Sequence, residues 1–199
     1  MNPVLSIIVA AYNAETTIKQ VIDSVYSQDV DKALYELIIV NDGSKDKTGG
    51  LLDSLASTYP DMCLTICHIP NGGVCNARNY GMSIARGEYV TFMDSDDYYG
   101  ERILSSFFEK YHKHPHVDFW KYGVVEHYIE HGESLRDKIN GVEDFVSSDA
   151  TAIFRMALEM EYIPLFGSVC NGFYKRSIIE KYHIQFSAEY IMEDFMFSF

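Results

Sequence analysis

Basic residues are scarce in this chain of 199 residues. Lysine and arginine together number 16, against 29 aspartates and glutamates, and the formal net charge is −13. A nucleic-acid partner is therefore not expected, because phosphate backbones call for a basic protein surface. The same charge repels a phosphorylated small molecule, so an anionic ligand would need a local cation or a group of backbone N–H donors.

Long hydrophobic runs and a secretory signal are also missing. The run Val4–Ala11 is too short to cross a bilayer, and Met1–Pro3 carries no basic residue. The chain contains no internal repeat and no low-complexity segment. We therefore expect a cytoplasmic protein. Because 47% of the residues are hydrophobic, the chain can bury a proper core and is expected to form one domain.

Cysteine is rare, and the four cysteines lack the paired spacing of a metal site, standing at positions 63, 67, 75 and 170. On one extended strand Cys63 and Cys67 would lie about 13 Å apart, which is too far for a disulfide. We expect reduced and mostly buried thiols. The three histidines between positions 112 and 116 have no neighbouring cysteine or carboxylate and are interpreted as solvated surface.

Short apolar runs alternate with segments of helical period over the first hundred residues. The predicted strands are Leu5–Tyr12, Tyr35–Val40, Leu64–Ile69 and Tyr89–Met93. The predicted helices between them are about Glu15–Ser27, a segment around Leu51–Leu55, and Val74–Arg86. This alternation predicts right-handed βαβ crossovers and an α/β fold with a Rossmann-like, mainly parallel sheet flanked by helices.

The pattern loosens beyond Gly100. Arg102–His112 and Asp144–Glu161 have helical patterns, Asp118–Ile129 alternates as a strand does, and Gly132–Gly141 is polar and loop-like. The chain ends at Phe199 close behind an apolar run, with no cap or polar tail. We therefore expect it to be part of a longer protein, truncated at its C-terminus.

A polar cluster follows each of the four predicted strands, namely Tyr12-Asn13, Asn41–Ser44, Asn71–Gly73 and Asp94–Asp97. Ligands of parallel sheets bind beyond the carboxyl ends of the strands. We therefore expect these four loops to converge on one site.

Three carboxylates, those of Asp94, Asp96 and Asp97, lie within four residues directly after the fourth strand. Carboxylates this close repel one another, so their grouping indicates a positive charge between them, most simply Mg²⁺ or Mn²⁺ with oxygen ligands. Mg²⁺ is usually held by one or two carboxylates together with substrate phosphates. An acidic turn that caps the following helix is the alternative interpretation.

Taken together and in this order, the loops resemble those of a family 2 glycosyltransferase of the GT-A fold. The resemblance is carried by Ser6–Asn13, Ile39–Ser44, Asn71–Asn79 and Gly87–Asp97, and it resumes at Phe186–Phe197. It implies an inverting, metal-assisted enzyme that moves a sugar from a nucleotide-diphospho-sugar, most simply a UDP-sugar. The acceptor would be a carbohydrate or a lipid-linked glycan, in the synthesis of cell-surface polysaccharide.

The resemblance makes residues 1–99 the half that binds the donor. Tyr12 would stack on the nucleotide base and Asp42 would accept a hydrogen bond from it, while Gly43 and Ser44 would shape the turn. Two alternatives stay open. Tyr12 could be a core aromatic with a satisfied hydroxyl, and Asp42-Gly43 could be an ordinary turn.

Contacts to phosphate and metal are implied as well. Gly73 would leave the start of the third helix open to a ligand, and Arg78 would reach the nucleotide or the diphosphate, unless it is a solvated helical arginine. Asp96 would bind the Mn²⁺ or Mg²⁺ ion directly. Asp94 would hold the ribose or support the ion, which would neutralise the diphosphate as it leaves.

Residues 100–199 would form the acceptor-side half of the same domain. Asp194 matches the family position of a carboxylate that removes the proton from the acceptor hydroxyl, with Glu193 beside it in the substrate site. Single displacement then inverts the anomeric centre. The alternative is that this acidic pair caps a following helix. A missing C-terminal region would be the means of peripheral association with the inner face of the membrane.

The chain departs from the family pattern at three places. Asn41 stands where the family often has aspartate, Ala10-Ala11 replaces a frequent proline-containing pair, and Ser168–Phe173 fits the acceptor segment only loosely. A nucleotide-sugar binding domain without turnover remains an alternative. So does a sugar-phosphate nucleotidyltransferase, although that class would carry a glycine-rich, arginine-bearing loop after the first strand. A dinucleotide oxidoreductase is disfavoured because no Gly-x-Gly-x-x-Gly follows that strand.

Overall fold

The computed structural model describes residues 2–130, 133–140 and 168–188. The strands in this part of the chain are β1 (Leu5–Ala11), β2 (Tyr35–Asp42), β3 (Cys63–Ile69), β4 (Tyr89–Asp94), β5 (Phe119–Lys121), β6 (Val124–Glu130), β7 (Glu133–Asn140) and β8 (Gly172–Lys175). The α-helices are α1 (Ile18–Tyr26), α2 (Thr48–Leu55), α3 (Val74–Ile84), α4 (Ile103–Lys113) and α5 (Arg176–Tyr182).

Six of these strands form one sheet in the order β3-β2-β1-β4-β8-β5. The pairs β3–β2, β2–β1 and β1–β4 are parallel, whereas β8 pairs antiparallel with both β4 and β5. The predicted α/β class and the mainly parallel sheet are thus confirmed. From β1 the chain builds outward through β2 and β3 on one side and returns to place β4 on the other. Such a reversal is where open α/β sheets bind their ligands.

The strands β1, β2 and β4 are buried on both faces, which explains their near-continuous apolar sequences. Ile7 and Val9 of β1 belong to the core formed with α1, α2 and α4. Ile8 points the other way and belongs to the core formed with α3 and α5. Side chains alternate along a strand, so one strand serves both layers, and the helices on either side hold the loops at the carboxyl edge of the sheet.

Two predictions for the second half are wrong. The predicted strand Asp118–Ile129 is divided between two sheets, because β5 joins the main sheet and β6 pairs with β7. Tyr122 marks the division. Its N–H donates to the carbonyl of Asn171, and its hydroxyl donates to the carbonyl of Cys170 at 2.7 Å, so the chain is anchored there before it leaves the main sheet.

The second wrong prediction is the loop at Gly132–Gly141, most of which is β7. Backbone pairing with β6 supplies the hydrogen bonds of this strand, so no apolar alternation is needed to form it. The predicted helix Asp144–Glu161 lies outside the described residues.

The cysteines form no disulfide, as expected, but they are not mostly buried. Cys75 is buried, Cys67 and Cys170 are half-buried, and Cys63 is exposed. Cys63 and Cys67 lie on β3, which is at the edge of the sheet and therefore covered less than the central strands. Within the described ranges, none of the helices has the length and hydrophobicity needed to cross a membrane.

Candidate functional site

The loops that follow β1 and β2 are joined into one unit by hydrogen bonds. Asn13 donates its N–H to Ser44 Oγ at 3.0 Å, and its side-chain oxygen accepts the N–H of Lys45 at 2.8 Å. The N–H of Ala14 donates to Thr48 Oγ1 at 2.7 Å. These contacts occupy the residues directly after β1, which explains why α1 begins at Ile18, later than predicted.

Tyr12 lies on this edge with 43% of its surface exposed. A core position for Tyr12 is therefore excluded. The next residue, Asn13, has a φ of 52°, a left-handed conformation that asparagine tolerates better than most residues. The chain thus turns sharply after β1 and leaves an aromatic ring open to solvent at the carboxyl end of the sheet.

Asp42 is buried at the end of β2 and fastens the loop that precedes α3. Its two carboxylate oxygens accept the N–H groups of Gly72 and Gly73, both at 2.8 Å, and its carbonyl accepts the side-chain amide of Asn71 at 2.9 Å. Gly43 has a φ of +65°, and a Cβ there would lie 2.7 Å from the backbone nitrogen of Asn71. This turn is therefore built for close approach of two loops and is not an ordinary surface turn.

The start of α3 is correspondingly less open than expected. The N–H groups of Gly72 and Gly73 already donate to Asp42, so a bound anion would have to compete for them. Each carboxylate oxygen of Asp42 can accept a second hydrogen bond, which leaves acceptor capacity for a ligand.

Arg78 is buried in α3, with 3% of its surface exposed, so a solvated arginine is excluded. Its Nη2 donates to Asp94 Oδ1 at 2.8 Å and lies 3.7 Å from the sulfur of Cys170. The guanidinium carbon stands 5.1 Å from the centre of the Phe186 ring, a cation–π distance. Arg78 therefore orients the first carboxylate of the acidic loop.

The acidic loop after β4 is held from the other side by α1. Thr17 Oγ1 donates to the carbonyl of Ser95 at 2.6 Å, and the N–H of Tyr99 donates to Ser24 Oγ at 3.1 Å. Among the described residues, one ligand atom each from Asp94, Asp97 and Cys170 lie within 4.8 Å of one another. Asp96 is exposed and is not part of that group.

The crowding of carboxyl groups in this loop shifts the pKa of Asp97. Asp97 is exposed as a residue, but partial desolvation of its carboxyl group raises its pKa to about 6, with help from the negative charges of Asp94 and then Asp96. Desolvation and the two neighbouring charges each disfavour the carboxylate form of Asp97. A cation placed among the three carboxyl groups would offset the repulsion from Asp94 and Asp96.

The donor atoms fit a hard divalent cation in part. Asp94 and Asp97 offer two carboxylates, the number by which Mg²⁺ is commonly held when substrate phosphates supply the other ligands. The sulfur of Cys170 is a soft ligand that such an ion does not favour. The pair of carboxylates therefore suits Mg²⁺ or Mn²⁺, with the thiol as a neighbour.

Several residues in these contacts had no individual role in the sequence-based prediction, among them Thr17, Asn71 and Cys170. Asn71 stands inside a quoted motif, so its place at the site had a local signal. Cys170 had none, because it reaches Asp94 only through the antiparallel addition of β8 to β4. The predicted residues Glu193 and Asp194 lie outside the described part of the chain.

A cavity of about 540 Å³ opens between α1 and α2, lined by Glu15, Thr16, Lys47, Gly50 and Leu51. It contains none of the predicted site residues. The candidate site is instead the open edge formed by the loops after β1, β2, β3 and β4, where hydrogen bonds already join the predicted side chains.

The chain matches a protein family and several known proteins. The profile of the family described as glycosyl transferase family 2 matches residues 6–182. The putative glycosyltransferase EpsH of Bacillus subtilis is 30% identical over 211 residues, which cover 99% of the chain and 55% of EpsH. The poly(ribitol-phosphate) beta-glucosyltransferase of Bacillus spizizenii is 36% identical over 100 residues, which cover 50% of the chain and 16% of that protein.

Solved structures show the same fold. S. aureus TarS 1–349 in complex with UDP-GlcNAc superposes with a TM-score of 0.70 and 24% identity, over 98% of the chain and 52% of TarS 1–349. The mannosyltransferase PcManGT of Pyrobaculum calidifontis, in complex with GDP-Man and Mn²⁺, superposes with a TM-score of 0.68 and 19% identity, over 98% of the chain and 50% of PcManGT. The chain thus spans about half of these structures and at most about half of the curated relatives described above.

Proposed function

Because the chain belongs to glycosyl transferase family 2, we propose that it transfers a sugar from a nucleotide-diphospho-sugar to a carbohydrate or lipid-linked acceptor. The observation that carries this proposal is the joining of four strand-end loops at one edge of the sheet. Asn13 binds the loop after β2, Asp42 binds the loop before α3, and Arg78 binds the loop after β4. A ligand on that edge would contact all four loops at once.

The nucleotide would lie over the exposed ring of Tyr12, with its base close to Asp42. Stacking on an aromatic ring is favourable for any base, whereas a fixed carboxylate oxygen selects a base that presents an N–H donor. Uracil and guanine both present such a donor, and of the two we expect uracil, in a UDP-sugar. The UDP-GlcNAc bound by TarS supports this choice of donor class.

The diphosphate would lie towards the loop after β4. A chain with a net charge of −13 needs a local cation there. Asp94 and Asp97 converge in the structure, and Asp96, which the resemblance makes the direct ligand, lies exposed on the same turn. A bound Mn²⁺ or Mg²⁺ would neutralise charge that develops on the departing diphosphate. The Mn²⁺ of PcManGT supports this assignment.

Asp194 would act as the general base, with Glu193 beside it. An acceptor hydroxyl becomes a good nucleophile only as its proton is removed, so a carboxylate on the face opposite the departing diphosphate suffices for a single displacement. The anomeric centre would invert in that step. The poly(ribitol-phosphate) substrate named for the Bacillus spizizenii relative supports an acceptor from cell-surface glycan synthesis.

Titration calorimetry with UDP, with and without Mn²⁺, tests the donor half of this proposal. We expect UDP binding that strengthens with Mn²⁺, and an Asp94→Asn variant that loses this gain. Parallel Asp96→Asn and Asp97→Asn variants identify the second carboxylate. The exposed residue Asp61 provides the matched control, Asp61→Asn. UDP binding that is equally strong without metal in every variant would contradict the metal assignment.

Turnover is tested by release of UDP from UDP-sugars in the presence of glycan acceptors, using the longest form of the protein. Release that depends on acceptor supports transfer. UDP binding without release, whatever acceptor is offered, would identify a donor-binding domain without turnover. Release of pyrophosphate from a nucleoside triphosphate and a sugar phosphate would identify a nucleotidyltransferase.

A further inference from the structure

A series of hydrogen bonds runs from the surface of α2, through His68 of β3, to the loops after β1 and β2. These two loops are called the donor loops, because the proposed function places the sugar donor there. His68 Nε2 lies 3.1 Å from Asp53 Oδ1, and His68 Nδ1 lies 2.8 Å from Asn41 Nδ2. Asn41 Oδ1 accepts the N–H of Ser44 at 3.2 Å and its hydroxyl at 2.5 Å. Ser44 Oγ in turn accepts the N–H of Asn13 at 3.0 Å.

The direction of every hydrogen bond in this series follows from one backbone group. The N–H of Ser44 can only donate, so the Asn41 side-chain atom that faces it must be the oxygen. The amide nitrogen of Asn41 therefore points at His68 and donates. Nδ1 of His68 must accept, which leaves its proton on Nε2, facing the carboxylate of Asp53.

Burial makes this arrangement costly to change. Asn41 has 5% of its surface exposed, and a Cβ added to Gly49 of α2 would lie 3.2 Å from Asn41 Nδ2. An aspartate at position 41, as the family often has, could not donate to His68. The amide of Asn41 and Nδ1 of His68 are therefore matched as donor and acceptor.

We propose that His68 is a positioning residue for donor binding: as a neutral Nε2–H tautomer it sets the orientation of Asn41, and through Ser44 and Asn13 the shape of the donor loops. This inference rests on the proposed function, because it takes those loops as the nucleotide site. His68 touches no ligand itself in this scheme.

Protonation of His68 would remove the hydrogen bond from Asn41 Nδ2 to His68 Nδ1. An imidazolium carries a proton on both nitrogens, so Nδ1 could no longer accept from Asn41. Rotation of the Asn41 amide would restore that contact but would turn its NH₂ group against the N–H of Ser44, which cannot accept. Asp53 of α2 is the charged group that the described structure places against His68, at 3.1 Å from Nε2.

The tautomer is tested directly, without any ligand. A long-range ¹H–¹⁵N correlation spectrum of the imidazole at pH 7.5 should show a proton on Nε2 and none on Nδ1 of His68. A proton on Nδ1 would overturn the proposal, whether or not the protein binds a nucleotide.

Binding of UDP between pH 7.5 and 5.5, the range in which histidines ordinarily change charge, tests the consequence. In His68→Asn the amide oxygen can replace Nδ1 as an acceptor that does not titrate. We expect this variant to keep its affinity at pH 7.5, and the unmodified protein to lose up to about tenfold more affinity on acidification, the effect of one partly buried hydrogen bond. His68→Leu, which has no acceptor, should be about tenfold weaker at pH 7.5.

The exposed residue His116 provides the control variant His116→Asn, which should follow the unmodified protein at every pH. Asp97 and the phosphates of UDP also titrate in this range, but they do so in every variant, so only the difference between variants is informative. An identical loss in the unmodified protein and in His68→Asn would overturn the proposal. Absence of UDP binding at any pH would instead reject the proposed function, and the spectrum alone would then decide the tautomer.

Discussion

Asp42→Asn replaces one carboxylate oxygen by an amide group of the same shape, and the structure indicates what this should cost. Both oxygens of Asp42 accept backbone N–H groups at 2.8 Å, and the residue has 3% of its surface exposed. The amide keeps one acceptor. The other position becomes a donor that faces the N–H of Gly72 or Gly73.

Loss of a hydrogen bond to a charged group is worth roughly 1.5–3 kcal/mol, and a buried N–H left without an acceptor costs about 1–3 kcal/mol. These two figures overlap, because they describe the same contact from its two sides. We therefore expect a loss of about 1.5–3 kcal/mol in the free energy of unfolding. For a domain of this length, that loss lowers Tm by roughly 3–12 °C.

Thermal unfolding followed by circular dichroism measures this effect, with Asp61→Asn as the exposed control. The control should stay within about 0.5 kcal/mol of the unmodified protein, because surface substitutions of this kind rarely do more. UDP binding should weaken in Asp42→Asn as well, since the loop before α3 loses its attachment. A Tm within about 1 °C of the unmodified protein would refute the reasoning, since the Asp42 contacts would then carry no net stability.

Two further predictions concern the acidic loop and the predicted base. The pKa of Asp97 is raised to about 6 in the folded protein. Between about pH 4 and pH 6 the folded protein therefore binds more protons than the unfolded chain. In the absence of metal, Asp97 thus lowers the free energy of unfolding as the pH rises through this window. Asp97→Asn should therefore raise Tm at pH 7.5 but not at pH 4, and scanning calorimetry with a chelator present would disprove this if the two shifts were equal. Asp194→Asn in the longest form of the protein should keep UDP affinity and abolish sugar transfer, and unchanged transfer rates would assign the base to another residue.

Local patterns in the sequence were sufficient for the first half of the fold. The apolar run Leu5–Tyr12 and its counterparts predict buried parallel strands, and β1 to β4 lie where those runs are. The helix Val74–Arg86 is likewise present as α3, shorter by two residues. These elements follow from periodicity and from glycine or proline at their ends, which are properties of neighbouring residues.

The second half depends on contacts that neighbouring residues do not reveal. The predicted strand Asp118–Ile129 alternates throughout, yet Tyr122 is bound by the segment at positions 170 and 171, and the chain changes sheet there. β7 has a polar sequence and is a strand because β6 pairs with it. Pairing partners distant in the chain decided both outcomes, and no local period records them.

The sequence by itself determined which loops would meet. The alternation of strand and helix predicts parallel strands, and the parallel pairing of β1 with β2 and β4 brings Tyr12, Asp42 and Asp94 to the same edge of the sheet. Only the tertiary structure decided how each polar side chain is used there. Burial of Arg78 turns it towards Asp94, and Asp42 is engaged by backbone N–H groups. A polar side chain without water must take whichever partner the packing brings within reach, and packing is a property of the whole fold.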